Sequence, residues 1–167
     1  MVLGTNAAGE TSSYTYNGFG YLVRNNNVDH IIDFTSAYQD VLAKYAGNDL
    51  VQLNVFGLDR ISTNGIFIHN DRLGSGRVAA DGQGNVVGVS HLDEWGNVLE
   101  KTDPHGVLNF FTNHEFDDVL GVYFAKARFY DPVDMRFLAI DPIKGFVIDP
   151  QTINSYIYVL NNPVIYF

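Results

Sequence analysis

Two arginines and two Asp-Pro pairs lie close together in the stretch RFYDPVDMRFLAIDP, which covers residues 128–142. Arg128 precedes Asp131 by three residues, and Asp141 follows ten residues later. Hydrolysis of a peptide bond by carboxylates needs one ionised group that activates water and one protonated group that donates a proton. A guanidinium beside one carboxylate and an apolar setting for another would separate their pKa values in this way. The competing interpretation is that an arginine–carboxylate pair simply pins a turn.

Other kinds of reactive site receive little support from the sequence. The five histidines are scattered over separate segments, without the spacing that places two imidazoles on one helix face. The acidic run EFDD at 115–118 lacks the ligand pattern of a calcium loop and is typical of a solvated turn. The Gly-Ser-Gly run at 74–76 is too short to cradle a phosphate, and no Gly-x-Ser-x-Gly elbow is present. We therefore expect no metal and no cofactor.

Composition narrows the class of protein. A length of 167 residues suits one domain, and 46% hydrophobic residues can fill a core. The formal net charge of −9 would repel phosphates, so we expect no nucleic-acid partner. The absence of cysteine excludes a disulfide scaffold and a thiol nucleophile. No apolar run is long enough to span a membrane, and the first 13 residues lack the pattern of a signal peptide.

Turn signals repeat along the chain. Asn or Asp followed by Gly three residues later recurs along the chain, and this spacing is typical of a type I turn. The side chain accepts hydrogen bonds from the backbone just ahead, and the glycine takes a positive φ that starts the next strand. We therefore predict an all-β fold, an antiparallel hairpin meander with at most one short helix. The eight turns are predicted to begin at Asn6, Asn17, Asn54, Asp71, Asp81, Asp93, Asp103 and Asp118.

Three further local patterns lead to predictions. Asn64-Gly65 signals a tight hairpin turn. In residues 34–49 the apolar spacing predicts a short helix, with Ser36 as N-cap, although the resemblance described next makes a strand equally acceptable. Trp95 lies inside a turn, where it would cover the hydrophobic face of its own hairpin or, if exposed, stack on a sugar ring.

Several of these segments resemble a known family. YTYNGFGYLV (14–23) and HLDEWGNVLE (91–100) are similar to the Y-x-Y-D-x-x-G-x-L repeat of YD-repeat, or Rhs (rearrangement hotspot), proteins. The Rhs repeat-associated core resembles other segments of this chain, in the same order. These segments are FGLDRIS (56–62), NDRLGSGRVAADGQGNVV (70–87), LGVYFAKARFYDPVDMRFLAIDP (120–142) and NSYIYVLNNPVIYF (154–167).

The resemblance implies a function. Such proteins are large secreted or cell-surface bacterial toxins and toxin-complex C-type subunits, whose repeats form a β-sheet that spirals into a hollow shell. Their core domain closes the shell, and in several members it cleaves itself as an aspartic-type peptidase to release a C-terminal toxin. The arginine and second aspartate implicated in that cleavage correspond to Arg128 and Asp141. Asp131 is the third candidate for a part in catalysis, and we expect it to cap or brace the turn.

The same resemblance implies an organisation and partners. Residues 1–13 form an N-terminal segment, native or added, residues 14–119 the repeat hairpins, and residues 120–167 the repeat-associated core. Expected partners are the remaining repeats of the shell, a partner toxin subunit or a second copy that pairs through the strand edges. The family's D-P-x-G-L cleavage motif and a C-terminal toxin are missing from this sequence, so we expect this fragment to be inactive. Met135 also replaces a glycine that the family often has before its Arg-Phe pair. The alternative is a non-catalytic cell-surface module that binds carbohydrate or protein.

Overall fold

The computed structural model describes residues 1–35, 40–145, 148 and 150–165. Its regular structure is almost entirely antiparallel β-strand, and the described ranges contain no α-helix, so the predicted all-β hairpin meander is confirmed. The strands are β1 (Val2–Thr5), β2 (Thr11–Tyr16), β3 (Leu22–Asn25), β4 (Val28–Ile32), β5 (Val41–Ala46), β6 (Asp49–Phe56), β7 (Arg60–Thr63), β8 (Ile66–Asn70), β9 (Gly76–Ala80), β10 (Val86–Leu92), β11 (Val98–Thr102), β12 (Phe110–Phe111), β13 (His114–Asp117), β14 (Val122–Ala125), β15 (Arg128–Asp131) and β16 (Arg136–Phe137).

Two sheets account for these strands. The large sheet contains β1 to β11 and the small sheet β12 to β16, and in both each strand pairs with its neighbours in the chain. Short 3₁₀ turns at Pro150–Ile153 and Val159–Asn161 follow the small sheet. In the part of the chain that the structure describes, no helix has the length and apolarity needed to cross a bilayer.

Six of the eight predicted turns are confirmed. At Asp93 the carboxylate Oδ1 accepts the backbone N–H groups of Trp95 at 2.9 Å and Asn97 at 2.8 Å. Gly96 donates its N–H to the Asp93 carbonyl at 3.2 Å, with φ at +89°. Only a residue without Cβ takes this backbone conformation at low cost, which explains the repeated glycine. The same carbonyl contact occurs at Asn6, Asn17, Asp71, Asp81 and Asp103.

The other two predicted turns are wrong. Asn54 lies within β6 and is buried, where its side chain accepts from the Thr63 hydroxyl at 2.7 Å and donates to the Val41 carbonyl. The turn expected at Asp118 begins one residue earlier, because Gly121 donates its N–H to the Asp117 carbonyl at 2.8 Å. In both places contacts with other strands override the local spacing, because they hold the side chains of Asn54 and Asp117 in buried positions.

The helix expected in residues 34–49 is replaced by a strand over its described part. Residues 41–46 form β5, which pairs with β4 on one side and β6 on the other. Cross-strand pairing with two neighbours outweighs the helical spacing of the apolar side chains. Ser36, the expected N-cap, lies outside the described residues. The Asn64-Gly65 hairpin is confirmed, with φ values of 52° and 79°.

One face of the small sheet is attached to the large sheet through acidic side chains. Glu115 pairs with Lys44 at 2.8 Å and with Arg60 at 3.1 Å. Asp117 is buried and accepts the Tyr14 hydroxyl at 2.5 Å. The expectation of a solvated turn at 115–118 is therefore wrong. It fails because β13 turns alternate side chains toward the large sheet, where cations and hydroxyls compensate the carboxylates.

The opposite face of the small sheet is aromatic. Phe111, Tyr123, Tyr130 and Tyr158 are buried together, and the Tyr130 and Tyr158 rings stack with centroids 3.9 Å apart. Trp95 packs on this cluster and is only half-buried, and its carbonyl accepts the Tyr130 hydroxyl at 2.9 Å. The tryptophan therefore covers the small sheet rather than its own hairpin. Since Tyr158 belongs to the C-terminal segment, the cluster holds that segment on the sheet.

Candidate functional site

Arg128 and Asp141 are thirteen residues apart in the sequence and meet in the structure. Arg128 Nη2 lies 2.8 Å from Asp141 Oδ2. The Arg128 side chain is 18% exposed and the Asp141 side chain is 31% exposed. The guanidinium carbon lies 3.6 Å from the centre of the Phe137 ring, which supports it from one side. Asp141 is positioned by its own backbone N–H, which donates to the Ser155 carbonyl at 2.8 Å. Its Oδ1 accepts the backbone N–H of Ile143 at 2.8 Å.

The pair lies in the wall of a cavity of about 500 Å³. The C-terminal segment forms the opposite wall, and aliphatic side chains such as Ile157 and Leu160 make much of it apolar. Arg128 Nη1 is buried and has no hydrogen-bond partner among the described residues. The guanidinium thus keeps one donor that no described residue uses. The described lining comprises His114, Ala125, Arg128, Phe137, Asp141, Ile143, Lys144, Gly145, Thr152, Asn154, Ile157, Tyr158, Val159 and Leu160.

Asp131, the other carboxylate singled out from the sequence, is placed differently. Its Oδ1 accepts the backbone N–H groups of Val133 at 2.9 Å and Asp134 at 3.1 Å. This is the turn-bracing role expected from the sequence. Asp131 is absent from the described cavity lining, so the structure brings together Arg128 and Asp141 but leaves Asp131 at the end of β15, where it braces the turn to β16. A part for Asp131 in cleavage chemistry stays a prediction.

His114 shares the cavity and was missed in the sequence. It begins β13, and burial together with the nearby Lys126 charge lowers its pKa to about 4, so the imidazole is neutral at pH 7. Strand alternation in NHEFD could have separated this residue from Glu115, because adjacent side chains point to opposite faces. Nothing in the sequence showed which face would line a cavity.

Arg128 and Asp141 together supply the kinds of group that polarise and hydrolyse an acyl group. A guanidinium with an unused donor can stabilise a developing oxyanion, and the carboxylate beside it can accept a proton from water. Asp141 is the one carboxylate in the described lining, so a second carboxylate is not assembled there. Across the described ranges, no three His, Asp or Glu side chains gather as a metal site.

Comparisons with known proteins agree with the motifs. No family model matches the chain. The tRNA3(Ser)-specific nuclease WapA of Bacillus spizizenii is 27% identical over 161 residues, which are 93% of this chain and 6% of that protein. Toxin protein Tse5 of Pseudomonas aeruginosa is 29% identical over 99 residues, which are 59% of this chain and 7% of that protein. The crystal structure of TcdB2-TccC3 superposes with a TM-score of 0.68 at 17% identity, over 97% of this chain and 10% of that chain.

These likenesses confirm the resemblance to YD/Rhs-repeat, toxin-associated proteins. The solved structure shows that the fold is shared, and the nuclease and the toxin protein show that sequence similarity extends over 93% and 59% of this chain. The chain spans a tenth or less of each of the three proteins.

Proposed function

We propose that this chain is part of a toxin-enclosing shell and carries the self-cleavage site of that shell. The proposal starts from the similarity of the chain to YD/Rhs-repeat toxin proteins. The single observation that carries the proposal is the contact between Arg128 and Asp141 at a cavity walled by the C-terminal segment. A chain that continues beyond that segment would leave from the cavity's own wall. Its backbone would then lie within reach of the pair.

In the proposed reaction, Asp141 removes a proton from water and the water oxygen bonds to the scissile carbonyl carbon. Arg128 stabilises the oxyanion that forms, and the C–N bond breaks as the amide nitrogen takes up a proton. The proton that reaches the nitrogen can come from Asp141 itself, which then returns to its ionised form. No oxidant or cofactor is needed for this balance.

The large sheet would serve as a piece of the shell wall. Both of its outer strands, β1 and β11, have one neighbour each and present a free edge within the described residues. Unpaired edges are ready templates for further strands, so the expected partners are additional repeats, a partner toxin subunit or a second copy. In this proposal residues 14–119 build wall and residues 120–167 close it. Secretion from a bacterium belongs to the same proposal.

Intact mass of the chain expressed with its natural C-terminal continuation tests the cleavage site. The parent protein should lose one defined C-terminal fragment, whereas Asp141→Asn and Arg128→Met should keep full mass. Asp134→Asn is the matched control, because Asp134 pairs with Arg136 at an exposed position and should not affect cleavage. Melting curves would verify that each variant folds. Full mass in the folded parent would refute the proposal.

One observation favours the second candidate, a surface module that binds carbohydrate or protein. Phe19 and Phe34 are 84% and 65% exposed, and both rings lie near Tyr21 with centroid distances of 6.3 and 5.5 Å. Exposed aromatic rings can stack on sugars or insert into a protein partner. Binding to a glycan array that disappears in Phe19→Ser, with cleavage unchanged, would support this additional role. Trp95, the aromatic first considered for it, packs against the aromatic cluster instead and is half-buried.

A further inference from the structure

His114, Ala125 and Arg128 form one row across three adjacent strands. Ala125 in β14 is paired with Arg128 in β15, and the register of β13 against β14, in which Glu115 faces Phe124, places His114 opposite Ala125. Paired residues of antiparallel strands point to the same face. All three side chains therefore belong to the cavity face, and all three line the cavity.

The small middle member of this row leaves a gap. Neighbouring strands lie about 4.8 Å apart, so the first and last members of the row are separated by about 10 Å at the backbone. Ala125 contributes only a methyl group between an imidazole and a guanidinium. This spacing leaves room for an extended peptide backbone above Ala125, with one polar side chain on each side of it.

The imidazole has unused hydrogen-bonding capacity. His114 Nδ1 is buried and has no partner among the described residues, and Arg128 Nη1 is in the same condition. A buried polar atom without a partner costs free energy, which a bound peptide group would recover. Two such atoms at opposite ends of one row could both be satisfied by the N–H and C=O groups of one peptide segment.

We propose that His114 is a positioning residue that hydrogen-bonds the backbone of the peptide segment on which Arg128 and Asp141 act. Ala125 forms the floor beneath that segment. The inference deepens the proposed function and rests on it for the identity of the segment, which is the chain's own C-terminal continuation. His114 donates no proton to the leaving nitrogen in this scheme and acts only by holding the backbone in place.

Self-cleavage rates test whether His114 positions the segment that is cut. In the chain with its natural continuation, His114→Phe removes the polar contact while keeping a ring and should slow self-cleavage about 5- to 30-fold. His114→Gln can still hydrogen-bond and should lose less. Ala125→Val raises the floor without changing any polar group and should also slow cleavage. The exposed His105, replaced by Phe, is the control and should leave the rate unchanged.

The NMR resonances of the His114 ring test the contact between His114 and the bound segment independently of cleavage. In an Asp141→Asn background, the His114 imidazole resonances should differ between the extended protein and the 167-residue chain. Identical resonances would overturn the inference whether or not the parent cleaves. Asp141-dependent cleavage at the same rate in His114→Phe would also overturn it, while the proposed function survives. Shifted resonances in a protein that never cleaves would uphold the contact and refute self-cleavage.

Discussion

The contact between the two sheets depends strongly on Glu115, and Glu115→Gln tests this. The carboxylate reaches two cations of the large sheet, Lys44 at 2.8 Å and Arg60 at 3.1 Å. The amide keeps the shape and an acceptor oxygen but removes the negative charge. Two neighbouring cations would then lie at the interface without a counter-charge, so we expect a lower free energy of unfolding.

The size of the loss follows from the burial of the three side chains. Removing one partner of a buried ion pair costs about 3–5 kcal/mol. The Arg60 side chain is 7% exposed, but those of Lys44 and Glu115 keep 19% and 23%, so water screens part of the repulsion. We therefore expect a loss of about 3 kcal/mol, near the lower end of that range. Urea unfolding at pH 7 would measure it.

The pH dependence supplies a second signature. Burial alone would raise the pKa of Glu115, but Lys44 and Arg60 outweigh it and hold that pKa well below its usual range. A carboxyl group with a depressed pKa contributes stability above its unfolded pKa of about 4.3 and loses it as the pH falls further. The difference between parent and Glu115→Gln should thus be full at pH 6 to 7 and shrink below about pH 4.3.

The control is Asp29→Asn, which breaks an exposed pair with Arg24 whose side chains are 39% and 51% accessible. Exposed pairs contribute little, so this variant should unfold almost like the parent. A Glu115→Gln protein as stable as Asp29→Asn would refute the reasoning. A stability difference that stayed constant down to pH 3 would refute the electrostatic cause while leaving the loss itself unexplained.

Three further predictions concern packing and titration. Gly96→Ala should lower the free energy of unfolding, measured in urea, by about 1–3 kcal/mol more than Gly84→Ala does. Both glycines have similar positive φ values, of +89° and +87°, but only a Cβ at position 96 would lie 2.8 Å from the Phe111 ring. Equal losses in the two variants would contradict this packing. Stability of the parent should fall from about pH 6.5 toward pH 4, because burial and a nearby lysine lower the pKa of His114 to about 4 and burial also lowers the pKa of His30. His114→Gln should therefore lose its own share of that slope, and an unchanged slope would assign all of it to His30 or another group. Tyr158→Ala should lower the free energy of unfolding by about 3–5 kcal/mol, because Tyr158 is only 3% exposed. Tyr158→Phe should lower it by only about 0.5–1.5 kcal/mol, because the hydroxyl makes one hydrogen bond, of 3.2 Å. Similar losses in the two variants would show that the hydroxyl matters more than the ring.

The sequence predicted features whose cause is local. The turn at Asp93 forms because its own carboxylate and Gly96 satisfy it within five residues, so spacing alone is informative. The same spacing failed at Asn54 and Asp118. There the outcome depends on contacts with other strands, and Asn54 in β6 bonds to Thr63 and Val41 in the two neighbouring strands. A pattern of four residues contains no record of those partners.

The candidate site divides in the same way. Arg128 and Asp141 could be found because they belong to one contiguous motif, and their contact at 2.8 Å agrees with the expected arginine–carboxylate pairing. His114 and Glu115 are adjacent in β13 and face opposite ways, one toward the cavity and one toward the large sheet. Their roles depend on which layer covers each face, and that is a property of sheet stacking rather than of sequence spacing.

The order of strands in the two sheets has a kinetic consequence. Every strand pairs with its chain neighbour, so each hairpin can form as soon as its second strand is available, and such local topologies fold quickly. The bonds from Glu115 to Lys44 and from Asp117 to Ser12 instead close loops of 71 and 105 residues, which carry a larger entropic cost. We expect the large sheet to assemble progressively from its N-terminal end and the small sheet to dock last. Since Arg128 and Asp141 reside at that late-docking sheet, a cut made there would mark a chain whose folding is already complete.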